Sequence, residues 1–140
     1  MGTISAIIVE DEIPVAKSLE TLLNLNDNVT IAGMAHNISD AKKLIASKQP
    51  NLVFCDIQLG KSETGFDLIE QFSEAAFKLI FVTAFNEYAI KAFKYNAIDY
   101  LLKPVDPEEL EEAIKRATQQ IKDEEPQKEI ESLLKMIHNP

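Results

Sequence analysis

The chain has 140 residues, room for one domain with a sizeable core and little for a second. Hydrophobic residues make up 46%, yet no apolar run approaches the roughly 20 residues that span a membrane. The net charge of −9, from 23 acidic against 14 basic side chains, argues against direct nucleic-acid binding, because phosphates require an excess of Lys and Arg.

Short apolar runs alternate five times with stretches of helical period. Ile4 to Val9 is predicted as a buried strand, followed by a helix with Ala16, Leu19, Leu22 and Leu23 on its apolar face. Val29 to Ala35 is a second strand, and Ile38, Ala41, Leu44 and Ile45 mark a second helix. Asn51 to Cys55 is a third strand, and Phe66, Ile69 and Phe72 stripe the helix after it. Leu79 to Val82 is the fourth strand, Glu87 to Phe93 a short helix and Ile98 to Leu102 the fifth strand. The last helix carries Leu110, Ala113, Ile114, Ala117 and Ile121 at i, i+3, i+4, i+7 and i+11.

Strands without internal polar alternation, each followed by a helix, predict a parallel sheet covered on both faces. Right-handed crossovers leave few arrangements, and five such units suit the α/β flavodoxin-like (βα)5 fold, a doubly wound sheet of strand order 2-1-3-4-5. In that order the working site lies beyond the carboxyl ends of strands 1 and 3. Past Ile121 the run Lys122-Asp-Glu-Glu-Pro126 is charged and ends in proline, so residues 1–122 are read as the domain and 123–140 as a linker with a short amphipathic helix. That helix carries Ile130, Leu133, Leu134 and Ile137 at i, i+3, i+4 and i+7. Dimerisation through this stripe is one expectation, packing against the chain's own body another.

The first strand ends in Glu10-Asp11-Glu12 and the third in Asp56. A lone Asp after a strand is ordinarily a helix cap, and an acidic run ordinarily complements a helix start. Here both fall at adjacent strand ends, where Glu10, Asp11 and Asp56 converge. Three carboxylates in one pocket need a cation or a shared proton, and oxygen donors without His or Cys favour Mg²⁺ over zinc. Thr83 ends the fourth strand and Lys103 follows the fifth; one hydroxyl and one ammonium facing the carboxylates suit a bound phosphoryl group.

With these residues in view, the chain resembles the receiver domain of two-component response regulators over about residues 3 to 122. The resemblance rests on Ile7-Ile-Val-Glu-Asp-Glu12, Leu52-Val-Phe-Cys-Asp-Ile57, Phe81-Val-Thr-Ala84 and Leu101-Leu-Lys-Pro104, in the family's order. It implies phosphoryl transfer from a histidine kinase to Asp56 with Mg²⁺. Asp11 and Asp56 would ligate the metal directly, Glu10 largely through water, and Gln58 by its backbone carbonyl. Lys103 would bridge to the phosphoryl group, Thr83 would move toward it, and Tyr100 matches the aromatic that then turns inward. Lys103-Pro104 matches a peptide bond that is cis in the family. The stretch Phe85 to Pro104 looks like receivers that precede a LytTR-type DNA-binding domain. The readout face implied is the fourth helix, fifth strand and fifth helix, near Phe85, Tyr88, Phe93 and Tyr95, with Phe93 itself expected in the core.

Many family members have proline where Gly60 stands, and their loop after the acceptor is commonly one residue shorter. Gln58 and Phe85, two places past Asp56 and Thr83, flank the route of an attacking water, and the bulk of Phe85 is expected to slow autodephosphorylation. Phosphatases of the haloacid-dehalogenase type place a second Asp two residues after the nucleophile, but here that place is Gln58, which argues against an enzyme. A stand-alone receiver working by protein–protein contact is the alternative to a transcriptional one. With one cysteine, Cys55, and no signal peptide at Met1 to Glu12, a cytoplasmic location is expected. The sequons at Asn28 and Asn37 are then chance matches. His36 and His138 have no ligand spacing around them, and a surface or capping role is expected for both.

Overall fold

β-Branched residues dominate the first strand, β1 (Ile4–Val9), and their alternation serves two cores at once. Ile4, Ala6 and Ile8 enter one hydrophobic cluster, while Ile7 and Val9 enter another on the opposite face. The computed structural model describes residues 3–72 and 77–138, with side chains described to residue 124 and again at 133 and 134. The remaining strands are β2 (Val29–Ala35), β3 (Leu52–Cys55), β4 (Lys78–Thr83) and β5 (Asp99–Leu102). They pair in parallel in the order β2-β1-β3-β4-β5, the order expected from the alternation of short and long segments.

Local chemistry marks the helix starts. In α1 (Ile13–Leu23) Pro14 lies in the first turn, where a missing N–H costs nothing. Asn37 caps α2 (Ile38–Lys48) by accepting from the Asp40 N–H at 2.8 Å, which gives one sequon asparagine a structural role. Thr64 and Asp67 form a capping box on α3 (Gly65–Ile69), which is shorter than its apolar stripe suggested and leaves Phe72 beyond its end. Then come α4 (Ala89–Lys94) and α5 (Pro107–His138), the latter capped by Asp106 with Glu108 and Glu109 in its first turn.

On one face, α1 and α5 cover the sheet with Ala16, Leu19, Leu23, Leu110, Ala113, Ile114 and Ala117. On the other, α2 and α3 bury Ile38, Ala41, Ile45, Phe66 and Leu68, and α4 contributes Ala92. Phe66 stacks near Phe81 and Tyr95 at 5.0 Å each, and Lys91 lies 4.5 Å from its ring centroid.

Two expectations are corrected. Phe93 is not in the core: it is 76% exposed, because the six-residue α4 buries chiefly Ala92 and turns Ile90 and Phe93 outward. The linker expected at Lys122–Pro126 is helical, and α5 runs unbroken past Pro126. Proline removes one helical hydrogen bond, but water can meet the freed carbonyl beside the exposed Lys122, and the Glu, Gln and Lys on both sides favour helix. Among the described residues, no helix is long and apolar enough to cross a membrane.

Candidate functional site

The registers bring the acidic residues together. Val9 pairs with Cys55 across β1 and β3, and the Asp56 N–H donates to the Val9 carbonyl at 3.0 Å, so the residues just past both strands emerge side by side. One carboxylate oxygen each from Glu10, Asp11 and Asp56 lie within 4.8 Å of one another. Glu10 and Asp56 are buried and Asp11 is exposed, so the group has two walls and an open side. Among the described residues, this is the one acidic group close enough to share an ion.

Lys103 reaches in from the end of β5. Its Nζ donates to Asp56 Oδ2 at 2.7 Å and to a carboxylate oxygen of Glu10. The second oxygen of Asp56 accepts from the Ile57 N–H at 2.6 Å and the Gln58 N–H at 3.4 Å. One ammonium does not balance three carboxylates. Burial pushes the Glu10 carboxyl up to about 7; Lys103 pulls it down, while Asp11 and the Asp56 charge add to the rise. Burial alone would lower the Lys103 ammonium, but its bonds to Asp56 and Glu10 outweigh that and hold it above the usual range. This crowding suits a small divalent cation, and the donors are all oxygen. The neighbouring thiol of Cys55 is fully buried, pushed well above its ordinary value by burial, and directed at the Asp56 carbonyl at 3.2 Å, so it stays protonated outside the donor set.

Thr83 is fully buried at the end of β4, with its hydroxyl accepting from the Phe85 N–H at 3.4 Å. The Tyr100 hydroxyl donates to the Phe85 carbonyl, so Phe85 links the two expected switch residues through its backbone. Its own ring is partly exposed and packs edge-on to Tyr88 at 6.3 Å. The Lys103–Pro104 peptide bond is cis, as the resemblance implied. Gln58 is exposed and bridges to Thr64 across the loop.

That loop explains the departure at Gly60. Its φ of +99° lies in the left-handed region, which proline, fixed near −65°, cannot enter. The loop is closed by Gly65, whose N–H donates to the Ile57 carbonyl at 2.6 Å. A Cβ on Gly65 would lie 2.4 Å from the Asp56 carbonyl oxygen.

One residue at the site escaped sequence reasoning. His36, at the end of β2, lies with Nδ1 2.9 Å from the Glu10 carbonyl and braces the acidic loop from outside. Its partner is backbone, so no side-chain pattern announces the contact. Beside the ionic group, a cavity of about 520 Å³ lies between α1 and the Lys103–Val105 turn, lined largely by Ile8, Val15, Leu19, Leu22, Phe54 and Val82.

Comparison with known proteins points the same way as this geometry. The family model described as response regulator receiver domain matches residues 6–115. The sensory transduction protein LytT of Enterococcus faecalis is 36% identical over 117 residues, covering 82% of this chain and 48% of that protein. The transcriptional regulatory protein BtsR of Salmonella typhi is 36% identical over 118 residues, covering 84% and 49%. The chain thus spans about half the length of the curated relatives it matches. Among solved structures, the response regulatory domain of protein mrkE from Klebsiella pneumoniae superposes with a TM-score of 0.75 at 29% identity, covering 85% of this chain and 98% of that one.

Proposed function

The chain belongs to the response regulator receiver domain family, and from that premise we propose that Asp56 accepts a phosphoryl group from the phosphohistidine of a partner kinase. A receiver is not a conventional enzyme: its chemistry is a transfer to itself and the later loss of that group. The observation that carries the proposal is the position of Asp56, paired with Lys103 and within one small acidic group with Glu10 and Asp11.

A carboxylate oxygen of Asp56 attacks phosphorus, the O–P bond forms as the N–P bond breaks, and the electron pair returns to the imidazole. Lys103, already at the acceptor oxygen, counters the negative charge of the arriving group. Asp11 and Asp56 directly, Glu10 through water and the Gln58 carbonyl would hold Mg²⁺, which when bound neutralises phosphoryl oxygens. Thr83 offers its hydroxyl to the new acyl phosphate, releasing the Phe85 N–H and loosening the link to Tyr100. A doubly charged group at Asp56 thereby biases the packing of β4, α4 and β5.

The receiver unit proposed is residues 1–122, a reading supported by Ile121, the last apolar side chain packed on the body among the described residues. The output proposed is transcription through a LytTR-type DNA-binding domain outside this chain. The relatives named LytT and BtsR, and their twofold greater length, support it. A second reading, a receiver that acts by protein–protein contact alone, is favoured by the exposed Ile90 and Phe93 on α4. The location proposed is cytoplasmic, in keeping with a single cysteine, Cys55, that is free and buried.

The test is intact-protein mass after acetyl phosphate. One phosphoryl mass is gained with Mg²⁺ and not without it, and the Asp56→Asn variant gains none. Phosphorylation of Asp56→Asn would assign the wrong acceptor, and no gain in the unmodified chain would remove the reading.

A further inference from the structure

The apolar stripe of α5 changes sides. Up to Ile121 the helix turns Leu110, Ala113, Ile114, Ala117 and Ile121 toward the sheet. Among the described side chains, the last tying it to the body is Glu124, paired with Lys78 at the start of β4. Beyond it the helix continues to His138, about 20 Å at 1.5 Å per residue. There Leu133 and Leu134 are 59% and 49% exposed. At about 100° per residue they stand roughly 180° round the helix from the stripe that faces the sheet. By spacing, Ile130 and Ile137 belong to the same second stripe. An unbroken helix therefore cannot turn this stripe back onto its own receiver.

We propose that the second stripe of α5 pairs with the same stripe of a second copy of this chain, the two receivers lying on the outer sides of a helical pair. Two observations select that occupant. Because the stripe faces away from each body, two copies can meet along it without their receivers colliding. Charge favours the same place. The chain carries −9, but Gln127 to His138 holds two Lys and two Glu, a net charge of zero, so repulsion between copies is least there.

The size of the contact sets its strength. Eight Ile and Leu side chains bury on the order of 800 Å², below the roughly 1,200 Å² at the small end of stable interfaces. The pair is thus weak and concentration-dependent, open to reinforcement by any further contact between the receivers. It requires no phosphoryl group, so it stands or falls separately from the role of Asp56.

The experiment is light-scattering mass of the whole chain, without phosphodonor, from low micromolar to near-millimolar concentration. The mass rises from 15.7 kDa toward twice that value, and a Leu133→Gln/Leu134→Gln variant, which keeps helix-favouring residues, stays monomeric with unchanged helical circular dichroism. In parallel, Leu134→Cys forms a disulfide-linked dimer on mild oxidation, since Cys55 is buried and silent. A chain that stays monomeric throughout overturns the proposal. So does a Gln variant that dimerises as readily as the unmodified chain, because the copies then meet elsewhere.

Discussion

Glu10 and Asp56 share the ammonium of Lys103, but only Asp56 also accepts two backbone N–H groups. The pocket therefore holds one well-satisfied carboxylate beside one whose pKa burial raises, with a single ammonium between them. Removing one partner of a buried pair leaves an uncompensated charge. Lys103→Ala is expected to destabilise the metal-free protein by about 2 kcal/mol, less than a fully buried pair would lose because the Lys103 side chain is partly exposed. Urea midpoints check this, and Mg²⁺ should recover more stability in the variant than in the unmodified chain; equal midpoints would sink the idea. Phe85 acts differently. Its partly exposed ring is proposed to shield the acyl phosphate from water, so Phe85→Ala shortens the phosphoryl lifetime about fivefold, on the order of 1 kcal/mol of barrier. An unchanged decay of the phosphorylated mass would remove that role.

At the scale of elements, the turn from β3 into α3 carries the finest tolerances. Gly60 takes a left-handed φ and Gly65 leaves no space for a Cβ beside the Asp56 carbonyl. The loop and the proposed acceptor Asp56 thus share one backbone constraint. Gly65→Ala is expected to lose about 3 kcal/mol, near the upper end for a single substitution, because backbone on both sides must shift. Equilibrium unfolding measures the loss, and phosphoryl uptake should fall with it; a change below about 0.5 kcal/mol, ordinary for surface positions, would contradict the close approach. In α5 the competition runs the other way. One proline is outweighed by helix-favouring neighbours, and a helix spans the place where composition alone suggested a break.

For the molecule as a whole, the carboxylate group is a fixed cost of the fold that a bound cation would relieve. A ligand that binds only the folded state stabilises it by about 2.7 kcal/mol at a hundredfold excess over its Kd. For a chain of this length that is roughly 8 °C in Tm. Mg²⁺ is expected to raise the melting temperature by that order, and Asp56→Asn to lose most of the rise. A melting curve indifferent to Mg²⁺ would leave the cluster without its proposed ion. The same charge keeps whole chains apart and leaves the neutral end of α5 as the favoured meeting place.

Fold class and strand order were legible before any coordinates, because apolar runs of four to seven residues separated by helical stripes admit few right-handed parallel arrangements. The gathering of the acidic residues and Lys103 was legible for the same reason: Glu10, Asp11, Asp56 and Lys103 stand at strand ends, and pairing in that order carries strand ends to one edge. Contacts made through backbone atoms left no such trace. His36 against the Glu10 carbonyl, Tyr100 on the Phe85 carbonyl and the missing space at Gly65 depend on where main chain passes, not on side-chain pattern. The outward turn of Phe93 and the reversal of the α5 stripe were also decided by tertiary structure. A period shows that a face is apolar, and only packing against the sheet decides which face is covered.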